Sequence, residues 1–185
     1  MSAVATVRRT SIVSSLFAAA FVCAAALFVT PAARADGELT RVFYPSQEEA
    51  AFTVDIPSGW EMKAQGEEGA EEYFEVGGPN GVELSFRTVP GGDVEAALEK
   101  HVAYLKENFS DIKVEEPAKA TIGGMEAVLL PATGTDADGS VRDLGAGFFK
   151  ISDSEAGELW YNVAKTDSAG GAAAVAVLNS IKKGS

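Results

Sequence analysis

Thiol and imidazole chemistry are almost missing from this chain: its 185 residues hold one cysteine, Cys23, and one histidine, His101. Cys23 falls within a leader-like first stretch, so the remainder lacks a thiol for a disulfide, a thiolate metal site or nucleophilic catalysis. A lone histidine has no second one with which to share a zinc ion. A serine hydrolase would have only His101 as its base, and no Gly-x-Ser-x-Gly elbow occurs anywhere. Positive charge is also scarce, with 15 basic residues against 27 acidic ones. Internal repeats and low-complexity tracts are absent as well, which excludes solenoid and linker architectures.

The chain begins with the three parts of an export signal. Arg8 and Arg9 form a positive flank, Ile12 to Val29 is uncharged and apolar, and Pro31 precedes Ala33-Arg34-Ala35, so cleavage is expected between Ala35 and Asp36. The apolar run is about the ~18 residues at which an uncleaved anchor becomes the competing reading. A twin-arginine route lacks its hydrophobic neighbour at Thr10-Ser11, and Phe21-Val22 before Cys23 does not suit a lipid-anchored cysteine. Cleavage would leave residues 36–185, enough chain for one domain with a real core. It would also leave 12 basic against 27 acidic residues, a formal charge of −15. Such a field disfavours nucleic acid and anionic membrane surfaces and favours basic or cationic partners in a periplasmic or secreted setting.

Past the leader, Leu39 to Tyr44 reads as a strand and Ser46 to Glu49 as a loop or helical turn. In Ala51 to Ile56, Phe52, Val54 and Ile56 alternate with polar residues, the period of a half-buried strand, and Pro57-Ser58-Gly59 stops it ahead of Trp60. A glutamate-rich loop over 65–72 leads to a hairpin, Tyr73 to Val76 and Val82 to Thr88, around Gly77-Gly78-Pro79-Asn80-Gly81. That turn lacks the Lys-Ser/Thr of a P-loop. Pro90-Gly91-Gly92-Asp93 opens an amphipathic helix whose expected stripe is Val94, Leu98, Val102, Leu105 and Phe109, with His101 beside it. Further strands over 112–115, 119–122, 125–131, 141–151 and 158–165 read as an antiparallel meander. Asp167-Ser168 starts a last, alanine-rich helix reaching Ile181.

The expected class is therefore an α+β domain with an antiparallel sheet, one long central helix and one C-terminal helix. Trp60, Trp160 and Tyr161 are the aromatic candidates for ligand or partner binding, with core packing as the competing role, and His101 is a further candidate. Asp136, Asp138 and Asp143 are the candidate metal ligands. Asp136 to Ser140 nevertheless lacks the ligand spacing and terminal glutamate of an EF-hand, and its Asp-Gly pair suits a turn. A carboxylate-based hydrolase needs only two acids and so stays open, but abundant acids are uninformative. No catalytic residue and no cofactor are expected.

Phe52-Thr53-Val54-Asp55-Ile56-Pro57-Ser58-Gly59-Trp60, the hairpin, the helix from Asp93 to Phe109, the meander and the terminal Leu178-Asn179-Ser180-Ile181 together resemble the PsbP-like family, whose exported bacterial relatives include proteins of the LpqN and DcrB type. The resemblance implies a central antiparallel sheet flanked by helices, an α/β/α sandwich. It also implies a non-enzymatic accessory or assembly protein working through contacts with another extracytoplasmic protein. It carries over no site residue. The second expectation is a small-ligand or calcium-binding protein, or a hydrolase, of the cell envelope.

Overall fold

The computed structural model describes residues 38–65 and 73–184. The expected export leader, its expected Ala35–Asp36 cleavage junction and most of the glutamate-rich loop lie outside the described residues. Eleven strands and two α-helices follow in the order β1 Leu39–Tyr44, β2 Phe52–Pro57, β3 Glu61–Gln65, β4 Tyr73–Gly77, β5 Glu83–Pro90, α1 Val94–Asn108, β6 Ser110–Val114, β7 Ala118–Ile122, β8 Met125–Thr135, β9 Val141–Lys150, β10 Glu155–Ala164, α2 Ser168–Asn179 and β11 Lys182–Lys183. Among the described residues no helix is long and apolar enough to cross a membrane.

The strands form two antiparallel sheets where the sequence suggested one. The smaller has the order β1-β2-β11. The larger runs β3-β4-β5-β10-β9-β8-β6, with β7 and β6 sharing one edge of the long β8: β7 pairs with Leu129 to Met125, and β6 with Thr135 to Ala132. Strands β7 to β10 form the expected meander, but β6, expected to open it, pairs with β8 instead of β7.

Alternation in β2 decides how the sheets meet. Phe52, Val54 and Ile56 are fully buried, whereas Thr53 and Asp55 are not. Phe52 stands edge-on to Phe149 of β9 at 5.3 Å and tilted against Phe86 of β5 at 6.4 Å, and it stacks on Tyr44 at 5.2 Å. Each such ring contributes about 1.5–3 kcal/mol by burial, and each ring pair roughly 0.5–1.5 kcal/mol more. Ala174, Val177 and Leu178 of α2 join this same core. Gly157 faces Phe149 across the β9–β10 ladder, and a Cβ there would overlap the ring, so glycine is what lets the phenyl lie flat on the strand.

Phe148, next to Phe149, points to the opposite face of the large sheet because strand side chains alternate. There Ala97 of α1 packs on Ala146 and Phe148, and Leu105 on Leu144 and Ala132. The fully buried line of α1 is Ala97, His101 and Leu105, spaced by four; of the expected stripe Leu105 lies on it, while Val94, Leu98 and Phe109 pack half-buried beside it and Val102 is half-buried. Asp93 caps α1 by accepting from the Ala96 N–H at 3.0 Å, and Asp167 caps α2 by accepting from Gly170 at 2.9 Å.

Candidate functional site

Helix α1 covers only part of its face of the large sheet. It lies over β9 and β8, and its flank reaches β10 through His101 and Tyr104. Cross-strand partners share a face, so the register gives what lies beyond. One row runs Lys63, Glu75, Ser85, Trp160, Ala146, and the adjacent row runs Glu61, Gly77, Glu83, Asn162, Leu144. The β9 ends of both rows are apolar and lie under α1. The β3–β4–β5 ends are polar and partly or fully exposed.

At the border stands an aromatic wall. Tyr104, 45% exposed, sits edge-on to Trp160 with ring centroids 6.0 Å apart, and its other neighbour is the His101 ring at 6.3 Å. Beneath the wall, His101 is 6% exposed, with its Nδ1 3.8 Å from Glu158 Oε1, while Arg87 Nε donates to Glu158 Oε2 at 2.5 Å. Burial, followed by the Arg87 charge, pushes the imidazole down to about 4. His101 is thus neutral at neutral pH, and its approach to Glu158 is a polar contact between a neutral ring and a carboxylate whose charge partner is Arg87. His101 Nε2 and Trp160 Nε1 are buried without a hydrogen-bond partner. Burial first, then the Glu83, Glu75 and Tyr73 charges, raise the Tyr104 phenol above its ordinary value.

A second chain of polar groups fixes the adjoining row. Buried Arg142 donates through Nε to Asn162 Oδ1 at 2.7 Å and through Nη2 to the Gly81 carbonyl at 2.6 Å, and Asn162 Nδ2 donates to Glu83 Oε2 at 2.7 Å. Both ends of the Asn162 amide are used, so the position of the Glu83 carboxylate is set from below.

Of the residues picked from sequence, His101 and Trp160 come together here. Tyr161, next to Trp160, points to the other face and packs against the inter-sheet core beside Gly145, where burial, then Asp143 and Glu115, push its phenol up to about 12. Trp60 lies at the edge of the same core. Its indole rests on Gly78, where a Cβ would come within 3.0 Å of the ring, and it lines an open depression of about 420 Å³ with Ser58, Gly59, Glu61, Gly77, Gly78 and Pro79.

Among the described residues no three His, Cys, Asp or Glu side chains group as a metal site, and the Asp136, Asp138 and Asp143 triple is no such group. Asp136 instead accepts from the Asp138 N–H at 3.0 Å, and Asp138 from the Ser140 N–H at 2.7 Å, shaping the turn. The Asp136 side chain, then the Ser140 hydroxyl and N–H, hold the Asp138 carboxyl well below the usual range. Asp143 lies 3.8 Å from Lys165. The site residues missed in sequence are Tyr104, Glu75 and Glu83. Their only signal there was an outward, polar position on a helix or hairpin, which any solvated residue shares.

No protein-family model and no curated protein matches the chain. Solved structures do. The solution structure of cyanobacterial PsbP (CyanoP) from Synechocystis sp. PCC 6803 superposes with a TM-score of 0.57 at 13% identity, covering 83% of this chain and 97% of that one. LpqN of Mycobacterium tuberculosis, described as involved in cell envelope biogenesis, gives 0.52 at 12% identity over 80% of this chain and 91% of that one. A Bacteroides thetaiotaomicron protein gives 0.52 at 16% identity over 77% of this chain, which spans about half, 47%, of that longer one. At these identities the likeness is one of architecture, and the chain has a PsbP-like fold.

Proposed function

We propose that this protein is an exported accessory protein of the cell envelope or periplasm that works without catalysis, by binding another protein on the sheet face beside α1. The observation that carries the reading is the uncovered half of that face. A sheet surface bordered by an exposed Tyr104, packed edge-on to Trp160, is the amphipathic kind of surface that protein interfaces favour. The leader-like first 35 residues and the exported relatives of the fold support the location. The PsbP-like fold supports the accessory role by analogy with LpqN and PsbP, and the support is an analogy of fold. The polar groups of the face are engaged in holding one another, Arg87 with Glu158 and Arg142 with Asn162 and Glu83, an arrangement that suits a rigid recognition surface better than proton transfer.

The test is capture by the C-terminally tagged chain, processed by its own source cell, from the exported fraction at low and moderate salt. A stoichiometric partner that weakens as salt rises supports recognition through the acidic surface. Capture of nothing above background at either salt refutes the reading.

A further inference from the structure

We infer that the open edge of β1 pairs with the same strand of a second copy of this chain, joining two smaller sheets into one across a two-fold axis at Arg41. The inference is independent of the proposed function and concerns the other sheet. β1 ends the order β1-β2-β11, and among the described residues no strand pairs with its outer edge. The ladder with β2 shows which groups stand on that edge. The Ser58 N–H donates to the Glu38 carbonyl at 2.7 Å and the register opposes Leu39 to Pro57, so Glu38, Thr40, Val42 and Tyr44 turn their amides towards β2. Leu39, Arg41 and Phe43 turn theirs outward. Asp55, opposite Arg41, follows the same alternation: its N–H points away from β1 and donates to Ser180 Oγ at 2.8 Å.

The edge is complementary to itself. Outward amides meet outward amides only in registers that oppose odd-numbered residues, and the antiparallel one that uses all three sets Arg41 against Arg41 of the second copy and Leu39 against its Phe43. Each opposed pair then exchanges two backbone hydrogen bonds. The three side chains also share one face, so Leu39 and Phe43, 55% and 37% exposed, cover one another at both ends of the contact. Arg41 at the centre is already paired: its Nε donates to Asp55 Oδ1 at 2.7 Å and its Nη2 to Asp55 Oδ2 at 3.0 Å. The two guanidinium charges are thus offset and drawn back towards β2.

The other strands with an open edge carry charges that discourage pairing: Glu61 and Lys63 on β3, Asp111 and Lys113 on β6, Lys119 on β7 and both lysines of β11. On β1 the single charge is the paired Arg41, between apolar ends. Six-residue strands bury less than the ~1,200 Å² of a standard complex, so the dimer is weak and concentration-dependent. The chain is formally −12 and its copies repel, so the association strengthens as salt rises. That is the opposite of the salt response of the proposed partner.

The experiment combines sedimentation equilibrium with single-cysteine cross-linking, on the C-terminally tagged chain purified from its source cell, with circular dichroism confirming the fold of every variant. A monomer–dimer equilibrium that tightens with salt is expected. Phe43→Lys, which removes one apolar cover and sets a charge in the row of Lys182, should weaken it about tenfold or more, and Met62→Lys on β3 less than twofold. Cys23 is the only cysteine, so Cys23→Ser gives a thiol-free background for the register. Opposed Cα atoms of a hydrogen-bonded pair stand ~5.5 Å apart, inside the roughly 4.4–6.8 Å of a disulfide, so Arg41→Cys should link to itself under mild copper–phenanthroline oxidation. Leu39→Cys and Phe43→Cys should each link poorly alone, being about 13 Å from their own copies, and readily when mixed. A chain that stays monomeric at millimolar concentration in moderate salt overturns the inference. So does a dimer in which L39C or F43C alone links as fast as R41C, or one that M62K weakens as much as F43K. A monomer whose captured partner is lost in F43K assigns the edge to a foreign strand and also overturns it.

Discussion

Lowering the pH from 7 to 4.5 loads a proton onto His101 in the unfolded chain but largely not in the folded one. The imidazole is held at about 4 in the fold against an ordinary 6.5. Arg87 on β5, Glu158 on β10 and Tyr104 on α1 itself are charged or titratable groups close to it. Because the unfolded state binds more protons between these values, the stability due to this group is fully present above about pH 6.5. It is lost as pH falls towards 4. A depression of about 2.5 units corresponds to roughly 3 kcal/mol at the limit and to about 2 kcal/mol between pH 7 and 4.5. For a chain of this size that is a fall of roughly 4–8 °C in Tm.

The carboxylates held low, Asp55 by Arg41 and Asp167 by the Gly170 N–H, add their own losses at lower pH, so the comparison has to be made against a variant. His101→Gln keeps a polar, neutral side chain of similar size. Urea unfolding followed by tryptophan fluorescence at both pH values should show H101Q losing about 2 kcal/mol less than the original chain. Equal losses in the two proteins would refute the burial of a neutral His101 and with it the packing of α1 on β10.

Other perturbations probe the frame around that face. Gly157→Ala should destabilise by about 1–3 kcal/mol in urea melts, because its Cβ meets the Phe149 ring on a strand buried on both sides. Asp93→Ala should cost about 0.5–2 kcal/mol through loss of the Ala96 cap, while Asp93→Ser retains most of it. Calcium at millimolar concentration should leave the melting temperature unchanged. Asp136 and Asp138 already serve the turn, and a rise of several degrees abolished in Asp138→Asn would contradict that assignment.

Much of the fold was legible wherever burial is one-sided. β2 announced itself through Phe52, Val54 and Ile56, and the hairpin of β4 and β5 through alternation about a glycine turn. Both helix starts were marked by their capping aspartates. β3 was missed because Glu61 to Ala64 is an exposed edge strand, without a buried residue to set a period. β11 was missed because two lysines carry no pattern at all; only their pairing with Thr53 and Phe52 makes them a strand. The division into two sheets was illegible because it depends on which strands pair, a long-range choice made in the core around Phe52.

The site followed the same logic. Sequence singled out His101 as the lone histidine and Trp160 as an aromatic candidate, and the fold does bring them together around Tyr104. Alternation along the strand puts Tyr161 on the face opposite Trp160, and Tyr161 packs into the inter-sheet core. Glu75 and Glu83 acquire meaning only through a register that places them across Ser85 and Asn162 from Trp160 and Arg142.

The most direct test places a photo-crosslinking residue at position 104, on the face beside α1, and separately at position 39, on the smaller sheet, where Leu39 is 55% exposed. Irradiation in the source cell should give one dominant protein adduct from position 104, diminished by Glu83→Gln, and none of that adduct from position 39. An identical adduct pattern from both positions, or none from 104, would contradict recognition through the face beside α1.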